Sequence, residues 1–105
     1  MTSVILVKDI INDSFSPIGG HQLGKEVVTL LKNKKESIVL NFDSIAPFTT
    51  LFFNAMFKDI SANYNLHELN RIIKVESLGE VDKDTYYRSL NNATEKQEKD
   101  KDANK

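Results

Sequence analysis

The chain has 105 residues, enough for one domain and too few for two ordinary ones. It is 40% hydrophobic and 28% charged with a net charge of −1, which gives no electrostatic footing for nucleic acid or an anionic membrane. There is no cysteine, which excludes a disulfide framework, a thiolate metal site and a cysteine nucleophile. No apolar run reaches the roughly 18–20 residues of a membrane span. The first apolar run, Ser3–Val7, is too short for a signal peptide, so a cytoplasmic protein is expected.

Val4-Ile5-Leu6-Val7 is a β-branched apolar run and predicts a strand that can extend to Ile10-Ile11. Asn12–Pro17 has turn chemistry, with side chains that bond local backbone followed by a φ-locked proline. Over Gly19–Asn33 the apolar residues Leu23, Val27, Leu30 and Leu31 fall on one helical face. Ser37–Asp43 carries Ile38-Val39-Leu40-Asn41-Phe42, the pattern of a central strand covered on both faces.

Asp43–Pro47 reads as a turn in which Asp43 accepts local amides, and Thr49 or Thr50 is placed to cap the helix that follows. That helix runs to Asn63 or Tyr64. Phe52, Phe53, Met56, Phe57, Ile60 and Tyr64 form its apolar stripe, and Thr50, Asn54, Lys58 and Ser61 lie opposite. Leu66 and Leu69 are packing anchors in a polar connection, and Arg71–Glu76 reads as a third strand. A last helix opens at Asp82, with Tyr86, Leu90 and Ala93 facing the core. The expected domain is residues 1–93; residues 94–105 hold no large apolar side chain and read as a charged tail, frayed helix going to disorder. Alternating strands and helices predict an α/β fold: a mixed sheet of three to four strands packed by about three helices.

Gly19-Gly20-His21-Gln22-Leu23-Gly24-Lys25 has the glycine and lysine spacing of a phosphate-binding P-loop. The next residue is Glu26, where magnesium binding needs a hydroxyl, so the motif fails there. Gly19, Gly20, Gly24 and Lys25 stay as an alternative nucleotide or small-ligand site. His21 and His67 are the only histidines and complete no zinc spacing. Ser44 lacks a nucleophile elbow. No catalytic residue, metal or cofactor is expected, and the chain reads as a non-enzyme.

The stretch Ile38–Ile45 followed by Thr49-Thr50-Leu51-Phe52-Phe53-Asn54-Ala55 resembles the STAS-like domain family of unknown function. The resemblance reaches back to the Gly20–Leu31 helix and forward through Leu69–Val75 to Ala93. It implies kinship with the wider class of anti-sigma factor antagonists, in which a helix-start serine or threonine is phosphorylated by a partner kinase. By placement Thr50 matches the acceptor and Thr49 the preceding acidic position. Asn41, Leu51 and Lys58 depart from the family pattern. The resemblance implies a regulatory protein-interaction module whose partner-binding residues are Thr50, Asn54, Lys58 and Ser44. The implied partner is a histidine-kinase-like ATPase acting as a serine/threonine kinase. A structural subunit that self-associates through a sheet edge is the remaining alternative.

Overall fold

The computed structural model describes residues 2–33 and 37–103. Strand β1 (Thr2–Leu6) passes directly into one helical turn, α1 (Val7–Ile10), and a polar turn leads to α2 (Pro17–Lys32). Strand β2 (Ser37–Asn41), helix α3 (Thr50–Ser61), a 3₁₀ turn (Leu66–Glu68), α4 (Leu69–Ile72), β3 (Ile73–Glu76) and α5 (Glu80–Ala103) follow. The sheet has three strands in the order β1-β2-β3, and both pairings are parallel.

The expected mixed sheet is therefore corrected to an all-parallel one of three strands. Each strand-to-strand connection carries a full helix, and such a crossover returns the chain in the same direction. Among the described residues there are five α-helices rather than about three. The three long ones match the apolar periodicities. The other two, α1 and α4, are four-residue turns inside segments that read as strand and connection.

The register aligns Ile5, Leu40 and Val75 across the sheet, and likewise Ser3, Ile38 and Ile73. Ile5, Ile38, Leu40 and Ile73 are buried in the main core with the helices. The alternate row is Val4, Val39 and Lys74. Val39 is buried, but Val4 and Lys74 are exposed, and none of the three joins that core. The helices thus cover one face of β2, not both as its apolar run suggested.

Helices α2 and α3 run side by side at close range. A Cβ on Gly20 would lie 2.0 Å from the Phe52 carbonyl oxygen, and one on Gly24 would lie 2.9 Å from that of Met56. His21 Nδ1 sits 2.8 Å from Asp59 Oδ2 across the same seam. Of the expected stripe, Phe52, Phe53, Met56, Phe57 and Ile60 are fully buried, while Tyr64 lies beyond the end of α3 and is half-buried. Phe53 meets Phe42, Phe48, Phe52 and Tyr86 with ring centroids 5.3–6.1 Å apart, mostly edge to face, a favoured aromatic geometry. Burial pushes the Tyr86 phenol up, which keeps it neutral in this cluster.

Residues 94–103 continue α5. Gln97 supplies the physical reason. Its amide nitrogen donates to the carbonyls of Ser61 (2.9 Å) and Tyr64 (2.8 Å), and its oxygen accepts from Leu66 N–H (3.0 Å). Carbonyls at a helix end have no intrahelical partner, and Gln97 satisfies them from another element. His67 and Glu98 pair one residue further along. Residues 104–105 of the expected tail lie outside the described residues.

Candidate functional site

All three long helices start at the edge of the sheet where the strands end, the usual place for recognition in parallel α/β folds. Three connections meet there: residues 11–16 before α2, 42–49 before α3, and 77–79 before α5. The hydrogen bonds at this edge show how they are locked together.

Asp13 organises the first connection. Its carboxylate accepts from the amides of Phe15 (2.5 Å) and Ser16 (2.9 Å) and from the Ser16 hydroxyl. These three donors hold the Asp13 carboxyl below its ordinary value. The turn's contribution to stability is therefore present at neutral pH and is lost as pH falls through that lowered value. Pro17 then occupies the first helical position, where its missing N–H costs nothing.

The connection before α3 is tied down from both sides. Ser14, itself buried, donates its hydroxyl to the Pro47 carbonyl (2.8 Å) and accepts at its own carbonyl from Thr49 N–H (3.3 Å). From the other side buried Asp82, in the first turn of α5, accepts from Phe48 N–H (3.1 Å). The positive end of the α5 dipole favours the Asp82 charge there. Both residues were missed as site-builders at the sequence level. An aspartate opening a helix looks like a local cap, and nothing local shows that it reaches Phe48.

The two threonines have different jobs. Thr49 is the N-cap: its hydroxyl accepts from Phe52 N–H (3.2 Å) and donates to the Phe15 carbonyl (2.6 Å). Thr50, the first helical residue, is exposed. Thr49→Val keeps the shape but removes both bonds. It is expected to cost about 1–2 kcal/mol, with Thr49→Ser close to neutral, as measured by urea denaturation.

The other expected partner-binding residues divide as well. Lys58 is exposed on the same line of α3 as Thr50 and Asn54. Asn54 is exposed too, but its amide oxygen accepts from the buried Ser89 hydroxyl of α5 (2.5 Å), so part of it serves packing. Ser44 is exposed in the turn with φ 68°, the left-handed region that non-glycine residues seldom adopt. The turn's amides are accepted by the Asn41 side chain (Asp43 N–H, 2.9 Å) and the Phe42 carbonyl (Ile45 N–H, 3.3 Å); Asp43, expected in that role, accepts among the described residues from the Ser44 hydroxyl, at 3.4 Å. Exposed apolar side chains occur on each element that meets here: Leu51 (59%) follows Thr50, Phe15 (55%) is bonded to Thr49 through its carbonyl, and Val81 (80%) precedes Asp82.

The P-loop-like stretch begins in the first turn of α2, against Asp13 and the start of α3, and its glycines have a packing origin. Gly19, Gly20 and Gly24 are buried inside α2, and Gly20 and Gly24 face the backbone of α3. From His21 onward the amides of a helix that starts at Pro17 bond within the helix and cannot cradle phosphate. Lys25 is exposed on the outer side. Among the described residues no group of three or more His, Cys, Asp or Glu side chains is placed to hold a metal, and no helix is long and apolar enough to cross a membrane.

No match was found among curated proteins or solved structures. The family model for the STAS-like domain of unknown function (DUF4325) matches residues 19–83, from the first glycine of α2 to the first turn of α5. That span is more than half of the chain and contains β2, α3 and β3 whole, and the chain belongs to this STAS-like family.

Proposed function

We propose that the chain is a non-catalytic regulatory module that binds a protein partner at the start of α3 and is switched by phosphorylation of Thr50. The observation that carries this reading is the division of labour between the two threonines. Thr49 uses its hydroxyl as both donor and acceptor to fix the helix start, while Thr50 is presented to solvent on a frame clamped by Ser14 and Asp82. A phosphate on Thr50 would lie at the positive end of α3 and would add close to two negative charges to a surface otherwise made apolar by Leu51 and Phe15. Such a change favours the phosphate locally and repels an apolar partner surface. Lys58, two turns further on, extends the contact line. The partner in this reading is an ATPase of the histidine-kinase-like type acting on serine and threonine.

The test is incubation with that kinase, ATP and magnesium, followed by intact-mass measurement. One added phosphate is expected on the wild-type chain and on Thr49→Ser, and none on Thr50→Val. Thr50→Glu and Leu51→Asp are expected to weaken partner capture at least tenfold while leaving the melting curve in place, because both side chains are exposed. A chain that takes no phosphate, or a phosphate that survives Thr50→Val, would sink the switch. Undiminished capture by Leu51→Asp would sink the docking surface.

A further inference from the structure

Helix α5 meets α3 with one face. Asp82, Tyr86 and Ser89 are spaced four and three apart, so they stack on a single side of the helix. Each engages α3 or the connection leading into it. Asp82 Oδ1 accepts from Phe48 N–H (3.1 Å), the Tyr86 ring lies against Phe53 and Phe57 (centroids 5.3 and 5.1 Å), and the Ser89 hydroxyl donates to Asn54 Oδ1 (2.5 Å). Asp82 is the one buried charged residue among those described, at 6% exposure. A carboxylate withdrawn from water is costly unless hydrogen bonds replace its hydration. An aspartate in a first turn ordinarily serves its own helix. This one reaches an amide 34 residues earlier, which precedes α3 and so has no partner within that helix. The next amide, Thr49 N–H, goes to the Ser14 carbonyl (3.3 Å). The two amides before Thr50 are each held by a different element.

We infer that Asp82 is a positioning residue for phosphorylation of Thr50, acting from α5 through the Phe48 amide. This rests on the proposal that Thr50 is the acceptor. In the transfer a bond forms between Thr50 Oγ1 and the γ-phosphorus of ATP, the bond from that phosphorus to the ADP oxygen breaks, and the hydroxyl proton passes to a base of the kinase. The acceptor oxygen must lie in line with the breaking bond, and a misplacement of about 1 Å can cost on the order of a hundredfold in rate. Thr50 is exposed, so the position of its oxygen follows from the backbone beneath it. That backbone changes from extended at Thr49 (φ −109°, ψ 161°) to helical at Thr50. Asp82 and Ser14 fix the extended side of the change. Without the Asp82 acceptor the Phe48 amide turns to water, and Ser14 alone ties the entry. Leu51 and Lys58, assigned to docking, lie beyond this point on α3 and stay in place. The loss therefore falls on the rate of transfer and not on partner binding.

Steady-state phosphorylation of the full chain by the kinase, with ATP and magnesium, is the measurement, and amide hydrogen exchange accompanies it. Asp82→Ala should lower kcat about tenfold or more and leave KM within about twofold. Asp82→Ser stays polar but withdraws the acceptor, and should do the same. Asp82→Asn keeps an oxygen in place and should recover most of the loss. In the alanine and serine variants the Phe48 amide should exchange about tenfold faster, a larger change than at the amides of Met56 and Phe57 inside α3. Leu90→Val removes buried packing from the same helix; it should lower the melting temperature and leave kcat and Phe48 exchange within about twofold of wild type. A wild-type chain that takes no phosphate overturns the Thr50 proposal and this inference together. With the wild type phosphorylated, full kcat in Asp82→Ala and Asp82→Ser, no recovery in Asp82→Asn, or an unchanged Phe48 amide overturns this inference alone. So does an equal fall of kcat in Leu90→Val, which would assign the effect to stability.

Discussion

Gly20→Ala should lower stability by about 3 kcal/mol or more, enough to leave much of the population unfolded in a domain of this size. Alanine in place of glycine inside a helix ordinarily gains about 1 kcal/mol from propensity and reduced unfolded-state entropy. Here the added methyl would sit 2.0 Å from the Phe52 carbonyl oxygen and 2.9 Å from the Ala55 Cβ. Neither neighbour is a flexible side-chain end that can swing aside. The two helices must separate, and separation opens the layer that holds Leu23, Phe52 and Met56, all fully buried. The steric cost exceeds the propensity gain. Gly79→Ala is the matched control: nothing lies within 4 Å of its added methyl, and a change within about 0.5 kcal/mol is expected. Urea denaturation of the two variants measures the contrast, and equal stabilities would refute the close helix crossing.

Phe53→Ala should cost about 3–5 kcal/mol. The ring is fully buried and touches four other aromatic rings, two from the connection before α3, one from α3 itself and one from α5. Its removal leaves a cavity where these elements meet, and relaxation at one wall would disturb another. Phe53→Leu should recover part of the loss by refilling volume. Phe15→Ala supplies the comparison, because that ring is 55% exposed and its loss should change stability by less than about 1 kcal/mol. A Phe53→Ala variant as stable as Phe15→Ala would contradict the central place given to this cluster. The substitution also reaches the site indirectly, since Phe48, two residues before Thr50, packs on the same ring and donates its amide to Asp82.

Five of the six residues predicted to form the apolar stripe of α3 occupy the core, because helical periodicity is a local property of the chain. The same holds for Leu23 and Val27 of α2 and for Tyr86 and Leu90 of α5. The family was legible for a related reason: Ile38–Ala55 combines strand, turn and helix start in one continuous segment, which the family match spans. Composition measures what a segment such as 94–103 can bury. It does not register that one glutamine can terminate a helix ending 36 residues earlier.

By itself, then, the sequence determined an α/β domain with three long helices, a buried β2 and a two-sided α3. Each of those follows from the spacing of apolar residues along a short stretch of chain. Only the tertiary structure decided which threonine is free, because the acceptor that engages Thr49 is the carbonyl of Phe15, 34 residues away. Only it turned the spacing of Gly19, Gly20 and Gly24 from a possible phosphate cradle into a helix seam, because the partner of that seam is the backbone of α3. It also decided which strands form the sheet edges, since strand order is set by crossovers and packing that no single segment contains.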